Sequence, residues 1–192
     1  MDKYDYIGKK SEGMVRVKNG SMADCKCGYT NESGQEIIPL IFTGVKDFHE
    51  GLAAVKVGNW SMGKWGFIDI HGALIIPYLF DKRRPFSCGL AKVVYENEWC
   101  FIDRYGTKVI SLKDYNGGSN FHDDYAIVSR INKTTKEETY GIIDKTGKEL
   151  IPCNINCYQQ QSFFRCSSLE SCVQEYNDAI RIKKPMIMFG SI

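Results

Sequence analysis

The chain has 192 residues, of which 43% are hydrophobic and 25% are charged, as is ordinary for a folded globular protein. The formal net charge of +2 argues against a global field that would recruit nucleic acid or an anionic membrane surface. The N-terminal sequence lacks an apolar signal segment, and no apolar run approaches the roughly 20 residues of a membrane span. We therefore expect a cytoplasmic protein that binds neither membrane nor nucleic acid.

A sequence unit recurs four times along the chain. Its copies cover approximately residues 12–47, 48–85, 86–120 and 121–152. One glycine of the unit marks a period of 34 to 41 residues, at Gly34, Gly72, Gly106 and Gly147. Self-similarity at such a period indicates a repeat architecture, in which stacked units bury a common core.

The second copy shows how one unit is expected to fold. Residues 51–57 alternate between apolar and polar positions, which predicts a half-buried strand, and residues 64–69 form a second strand rich in aromatic and branched side chains. Asp69 and Gly72 then predict a tight turn, because a leading Asp bonds the backbone two residues on and Gly supplies a positive φ. A short third strand is expected to end at Pro77, since proline has no N–H to donate.

One copy is therefore predicted to be a three-stranded antiparallel meander. Residues 80–86 are interpreted as a connector to the next copy, and Trp65, Trp99 and Tyr140 as rings that pack between copies. We expect an all-β array of about four such meanders. Four copies are at the lower limit for a closed propeller, which favours an open array.

The repeat pattern ends after Pro152, and residues 168–182 are predicted to form an amphipathic helix. Four apolar side chains share one stripe of this helix, at Leu169, Val173, Tyr176 and Ile180. We expect it to cap the open end of the array, because terminal repeats need a cover. The chain would thus consist of a β-repeat array over residues 1–152 and a C-terminal helical cap or tail over residues 153–192.

The repeat resembles the WG-repeat family, which is named for a Trp-Gly dipeptide that stands here at Trp65-Gly66. The family pattern, approximately F-x-E-G-L-A-x-V followed by K-W-G-F/Y-I-D-x-x-G-x-x-I-I-P, is matched best over residues 48–77. Cys27 replaces the tryptophan of the first copy and Cys100 the glycine of the third. The resemblance implies an all-β bacterial repeat module with a binding role and no catalytic residue set.

The sequence carries no glycine-rich phosphate loop and no recognised hydrolase or zinc-protease motif. His49 and His122 recur at one repeat position and are interpreted as surface residues. We therefore expect no enzyme activity, no cofactor and no metal site. The eight cysteines do not form paired C-x-x-C motifs and are expected to be reduced and structural. Disulfides, or a metal site near the C-terminus, remain alternatives.

Residues that depart from the repeat are favoured as candidates for binding: Trp60 at a predicted hairpin tip, the basic loop Lys82, Arg83 and Arg84, and the tail after Cys153. Phe86, which stands at a repeat position, is a further contact candidate. We hypothesise a non-catalytic module that binds a protein or peptide through its repeat surface. The alternative is a carbohydrate or cell-wall binder whose aromatic rings stack on sugars, and an enzyme accessory is a third possibility. The pattern favours no particular oligomeric state.

Overall fold

The computed structural model describes residues 3–21, 24–59 and 61–156, together with Gln174. In this part of the chain, sixteen strands form four sheets, and each sheet has four antiparallel strands in chain order. The first sheet contains β1 (Tyr6–Ser11), β2 (Met14–Asn19), β3 (Lys26–Asn31) and β4 (Glu36–Phe42). The second contains β5 (Gly44–His49), β6 (Leu52–Val57), β7 (Lys64–Asp69) and β8 (Leu74–Phe80).

The third sheet contains β9 (Lys82–Ser87), β10 (Leu90–Tyr95), β11 (Glu98–Ile102) and β12 (Lys108–Ser111). The fourth contains β13 (Gly117–Gly118), β14 (Tyr125–Ile131), β15 (Glu138–Asp144) and β16 (Glu149–Asn156). The chain divides into two compact units, residues 1–113 with the first three sheets and residues 114–192 with the fourth. The prediction of repeated all-β units is thus confirmed, whereas the expected capping helix over residues 168–182 lies, apart from Gln174, outside the described residues.

Each sheet has one strand more than the three that the repeat predicted. The interpretation of residues 80–86 as a connector was wrong, because β9 occupies most of that segment and pairs antiparallel with β10. In the same way, β5 pairs with β6. The basic run and Pro85 gave β9 the look of a loop, but an edge strand tolerates charges and proline because one side of it is unpaired.

The repeat proline interrupts the pairing of its strand without ending it. Trp65 pairs with Phe80 and Phe67 pairs with Ile76, so residues 77–79 bulge opposite Gly66. The expectation that the strand stops at Pro77 was therefore wrong. A bulge admits proline because the ladder hydrogen bonds are already absent there.

This bulge explains the glycine of the Trp-Gly dipeptide. A Cβ at Gly66 would lie 2.6 Å from the carbonyl oxygen of Ile76 and 3.1 Å from the carbonyl carbon of Pro77. In the third sheet, Ser111 takes the place of the proline and pairs directly with Cys100, without a bulge at that point. Cys100 is fully buried there. The loss of the proline and the loss of the glycine in this copy are therefore one structural change.

The structure confirms the predicted turns. The Asp69 carboxylate accepts hydrogen bonds from the backbone N–H groups of His71, at 2.9 Å, and Ala73, at 2.8 Å. Gly72 has a φ of 84°. The same pair of side-chain bonds occurs in the other three sheets at Asn31, Asp103 and Asp144. The turn chemistry thus sets the same hairpin in every repeat.

Within the first unit, the second sheet is buried on both faces. Ala53 and Val55 on β6 belong to a core shared with the first sheet. Leu52 and Ala54, on the opposite face, belong to a core shared with the third sheet. The prediction that this strand is half-buried was therefore wrong, because stacking covers the face that was expected to be open.

Glutamates at the first hairpin of a sheet link it to the next sheet. The Glu12 carboxylate accepts hydrogen bonds from the backbone N–H groups of Glu50, at 2.7 Å, and Gly51, at 2.8 Å. Glu50 repeats this link by accepting a bond from the N–H of Gly89 at 2.9 Å. In the third sheet, Cys88 stands at the equivalent position. We call these bonds the glutamate ladder.

Candidate binding groove

Two of the predicted contact residues do not contribute to a described surface. Trp60 lies outside the residues that the structure describes. Phe86 is only 2% exposed and packs edge-on against Phe67, with the ring centroids 5.0 Å apart. Phe86 therefore belongs to the core between the second and third sheets and is not available to a partner at the surface.

The basic residues that were predicted to form a loop lie on the edge strand β9. Lys82 and Arg84 are exposed, whereas Arg83 is half-buried and its guanidinium lies 4.4 Å from the centroid of the Trp65 ring. The Nε atom of Arg83 is buried and has no hydrogen-bond acceptor among the described residues. Burial, together with the nearby charge of Arg84, lowers the pKa of Arg83 to about 10. A buried N–H group without an acceptor is costly until an acceptor pairs with it.

Two further cations lie close to Arg83. Arg16 on β2 forms an ion pair with Asp47, at 2.5 Å from Nε to Oδ1. Burial and the positive charges of Arg83 and Arg16 lower the pKa of Lys46, against an opposing effect of Asp47. Asp47 is the one described carboxylate that acts on both Lys46 and Arg83. Three cations thus share a single carboxylate, which leaves an excess of positive charge.

Arg83, Lys46 and Asp47 line the polar side of a cavity of 180 Å³ between the second and third sheets. Leu52 and Phe67 contribute apolar side chains to it. We call the cavity together with Arg16, Lys46, Asp47 and Arg83 the cationic groove. It joins a fixed positive charge to an apolar floor, a combination that suits the binding of an anionic side chain.

A larger cavity of 330 Å³ lies between the first and second sheets and shares Lys46 with the cationic groove. We call it the inter-sheet cavity. Its apolar wall includes Val17, Cys25, Cys27 and Val45, and Trp65 of the second sheet also lines it. Its cationic side chains are Arg16, Lys18, Lys46 and Lys56.

Cys27 in the inter-sheet cavity is a neutral thiol near pH 7, because burial, reinforced by Cys25, raises its pKa to about 11. Its sulfur atom lies 4.0 Å from that of Cys25. Cys25, Cys27, Cys88, Cys100 and Cys153 are all free thiols. Within the described residues, no three His, Cys, Asp or Glu side chains cluster as metal ligands. In the same part of the chain, no helix is long and apolar enough to cross a membrane.

The pattern described as WG containing repeat matches residues 28–59, 65–99 and 140–156. The chain is a WG-repeat protein. The second matched segment begins at Trp65 and includes Gly66, whose backbone contacts explain the dipeptide. No curated protein matches this WG-repeat protein significantly.

The WG-repeat protein is similar in fold to a solved structure titled "Crystal structure of the eukaryotic initiation factor". The two share 14% sequence identity with a TM-score of 0.51, over 77% of this chain and 42% of that one. At this identity the similarity concerns the fold alone. The WG-repeat protein spans less than half of that structure's length.

Arg83 was predicted from the sequence as a contact residue, whereas Arg16, Lys46 and Asp47, which complete the cationic groove around it, were not. The alternation along β2 placed Arg16 on the polar face, opposite the inward positions. Lys46 and Asp47 lie in residues 42–48, which the repeat, like residues 80–86, marked as a connector between copies. The available signal was the exchange of large and small residues at equivalent repeat positions. Such an exchange becomes visible only when the additional first strand of each sheet is aligned with its equivalents in the other sheets.

Proposed function

We propose that this WG-repeat protein is a non-catalytic module that binds an acidic segment of a partner protein or peptide at the cationic groove on its repeat surface. The observation that carries the proposal is the cavity lined by Lys46, Arg83 and Asp47, in which Asp47 is already paired with Arg16 and the buried Nε of Arg83 is left without an acceptor. A carboxylate entering the groove would supply that acceptor. Hydrogen bonds to charged groups contribute about 1.5–3 kcal/mol.

The size of the groove supports a side chain as its ligand. Its cavity of 180 Å³ is smaller than the roughly 300–1,000 Å³ of typical small-molecule pockets. A single acidic side chain fits such a space, while the rest of the partner segment would lie along the edges of β5 and β9. Local excess charge also raises the association rate of an oppositely charged segment.

The rival carbohydrate hypothesis depends on repeated aromatic rings, and it gains no support from Trp65 and Trp99. Arg83 lies 4.4 Å from the Trp65 ring centroid, and Lys92 lies 4.7 Å from that of Trp99. A sugar that stacked on the same faces would have to displace these cations. We therefore retain carbohydrate binding only as a control in the test.

The test is fluorescence anisotropy with a labelled, glutamate-rich peptide of about twelve residues. The Arg83→Met variant keeps aliphatic bulk beside Trp65 but removes the charge, and we expect it to weaken binding at least 10-fold, which corresponds to about 1.4 kcal/mol. The matched control is Lys82→Ala, an exposed charge on the same strand, which should change the dissociation constant less than twofold. Circular dichroism and the melting temperature verify that both variants are folded.

Three results would contradict the proposal. Absence of binding by the wild-type protein at low salt would do so, and so would equal affinities of wild-type and Arg83→Met protein. Tighter binding of a single-stranded oligonucleotide of equal length, or of a glycan, than of the acidic peptide would assign a different class of partner.

A further inference from the structure

The two interfaces of the first unit place different residues at equivalent positions. Trp65 on β7 lies across Gly44, whose added Cβ would be 3.3 Å from the ring, and the same ring stacks with Arg83 of the third sheet. The strand registers make Cys27 equivalent to Trp65, because each pairs with the lysine of the preceding strand. By the same registers, Tyr6 is equivalent to Gly44, and Val45 is equivalent to Arg83.

The inter-sheet cavity is therefore the place of a missing ring. Where the second interface has the stacked pair of Trp65 and Arg83, the first has Cys27 and Val45, and both of these line the cavity. Tyr6 also lines the cavity but is 49% exposed, so its ring forms a wall without filling the space. Apolar cavities of about 150 Å³ accept a six-membered aromatic ring. At 330 Å³, this cavity has room for a larger ring system.

The charges around the cavity specify what should accompany such a ring. Arg16, Lys18, Lys46 and Lys56 line it, and none of the described lining residues is acidic. The charge of Lys46 is common to this cavity and the cationic groove. An aromatic residue next to carboxylates would therefore match the inter-sheet cavity in both shape and charge.

We propose that the inter-sheet cavity receives an aromatic side chain of the partner, so that the bound segment carries a Trp, Tyr or Phe flanked by Asp or Glu. The inference rests on the proposed function for the acidic character of the segment. It adds an apolar anchor to the acidic segment. In protein interfaces, aromatic side chains that fill apolar pockets are among the residues that contribute most to the binding free energy. The ring would occupy the position that Trp65 fills between the next two sheets.

The test compares three synthetic peptides of equal length by isothermal titration calorimetry. One carries a single Trp among glutamates, the second has Ala for the Trp, and the third has the Trp among serines. We expect the first to bind at least 10-fold more tightly than either of the others. Equal affinities of the Trp and Ala peptides would overturn the aromatic pocket while leaving the proposed function intact. Failure of both acidic peptides to bind would overturn the proposed function as well.

Filling the cavity provides the matched variants. The double variant Tyr6→Gly, Cys27→Trp recreates the Gly44 and Trp65 pair of the second sheet, and it should abolish the advantage of the Trp peptide while the Ala peptide binds as before. Val45→Phe fills the cavity from the opposite wall and serves if the double variant does not fold. If a folded variant of either kind still prefers the Trp peptide 10-fold, the ring binds elsewhere and the proposal is wrong.

Discussion

The interface between the first and second sheets and the interface between the second and third sheets have equivalent aromatic pairs at their centres. The two interfaces differ in the residues next to the cationic groove. At the centre of the first interface, Tyr29 packs edge-on against Phe48 with ring centroids 4.9 Å apart, and the equivalent pair of the second interface, Phe67 and Phe86, is 5.0 Å apart. Next to this aromatic pair, the second interface has the ring of Trp65 stacked with Arg83, whereas the first interface has the inter-sheet cavity. The repeat thus maintains the contacts that hold sheets together and varies those next to the cationic groove, so function is to be sought where equivalent positions differ.

The largest expected effect concerns the bulge at residues 77–79, which is present in the second sheet and has no equivalent opposite Cys100 in the third. Gly66→Ala would place a Cβ 2.6 Å from a backbone oxygen, and we expect it to lower the free energy of unfolding by about 3 kcal/mol or more. Cys100→Ala, at the equivalent position of the third sheet, only removes a buried sulfur and should cost about 1 kcal/mol. Urea unfolding measures both. Equal losses of stability in the two variants would show that the bulge does not require a glycine at position 66.

The next effect tests the difference between a filled and an unfilled interface. Trp65→Ala removes a ring that Arg83 covers, and we expect a loss of about 2–3 kcal/mol, less than for a fully buried tryptophan because Trp65 is half-exposed. Cys27→Ala removes one sulfur from the wall of an existing cavity and should cost less than about 1 kcal/mol. If urea unfolding gave both variants similar losses, the first interface would be as well packed as the second.

Much of the fold could be predicted because it depends on local chemistry. The Asp69 turn needs only a side-chain acceptor and a glycine with positive φ, and both are visible in four residues of sequence. The alternation on β6 likewise depends on residues close in the chain. These features follow from local backbone preferences and do not require contacts with a neighbouring sheet.

The remainder depends on partners distant in sequence. The additional first strand of the second and third sheets is recognisable as a strand only by its pairing, because the charges of β5 and β9 and Pro85 in β9 are also typical of loops. The candidate site was predicted only in part for the same reason. Arg83 is one of three consecutive basic residues, and its contact with Trp65 distinguishes it from Lys82 and Arg84.

The smallest expected effect concerns the glutamate ladder, which the two interfaces share unequally. Glu12 accepts two backbone hydrogen bonds from the second sheet, so Glu12→Ala should cost about 1–2 kcal/mol, an estimate reduced for solvent exposure. Glu50 accepts one such bond from the third sheet, and Arg104 independently joins these sheets by donating a hydrogen bond to the carbonyl oxygen of Glu50 at 2.6 Å. Glu50→Ala should therefore cost about 1 kcal/mol or less.

The control for the ladder is Glu98→Ala, which breaks an exposed ion pair with Lys108 inside the third sheet and should change stability by less than about 0.5 kcal/mol. Urea unfolding should rank the losses in the order Glu12, Glu50, Glu98. A larger loss for Glu50 than for Glu12 would mean that the second and third sheets depend on the ladder more than the first and second do. The first interface, which contains the larger cavity, would then depend more on its aromatic centre and on the Arg16–Asp47 ion pair than on the ladder.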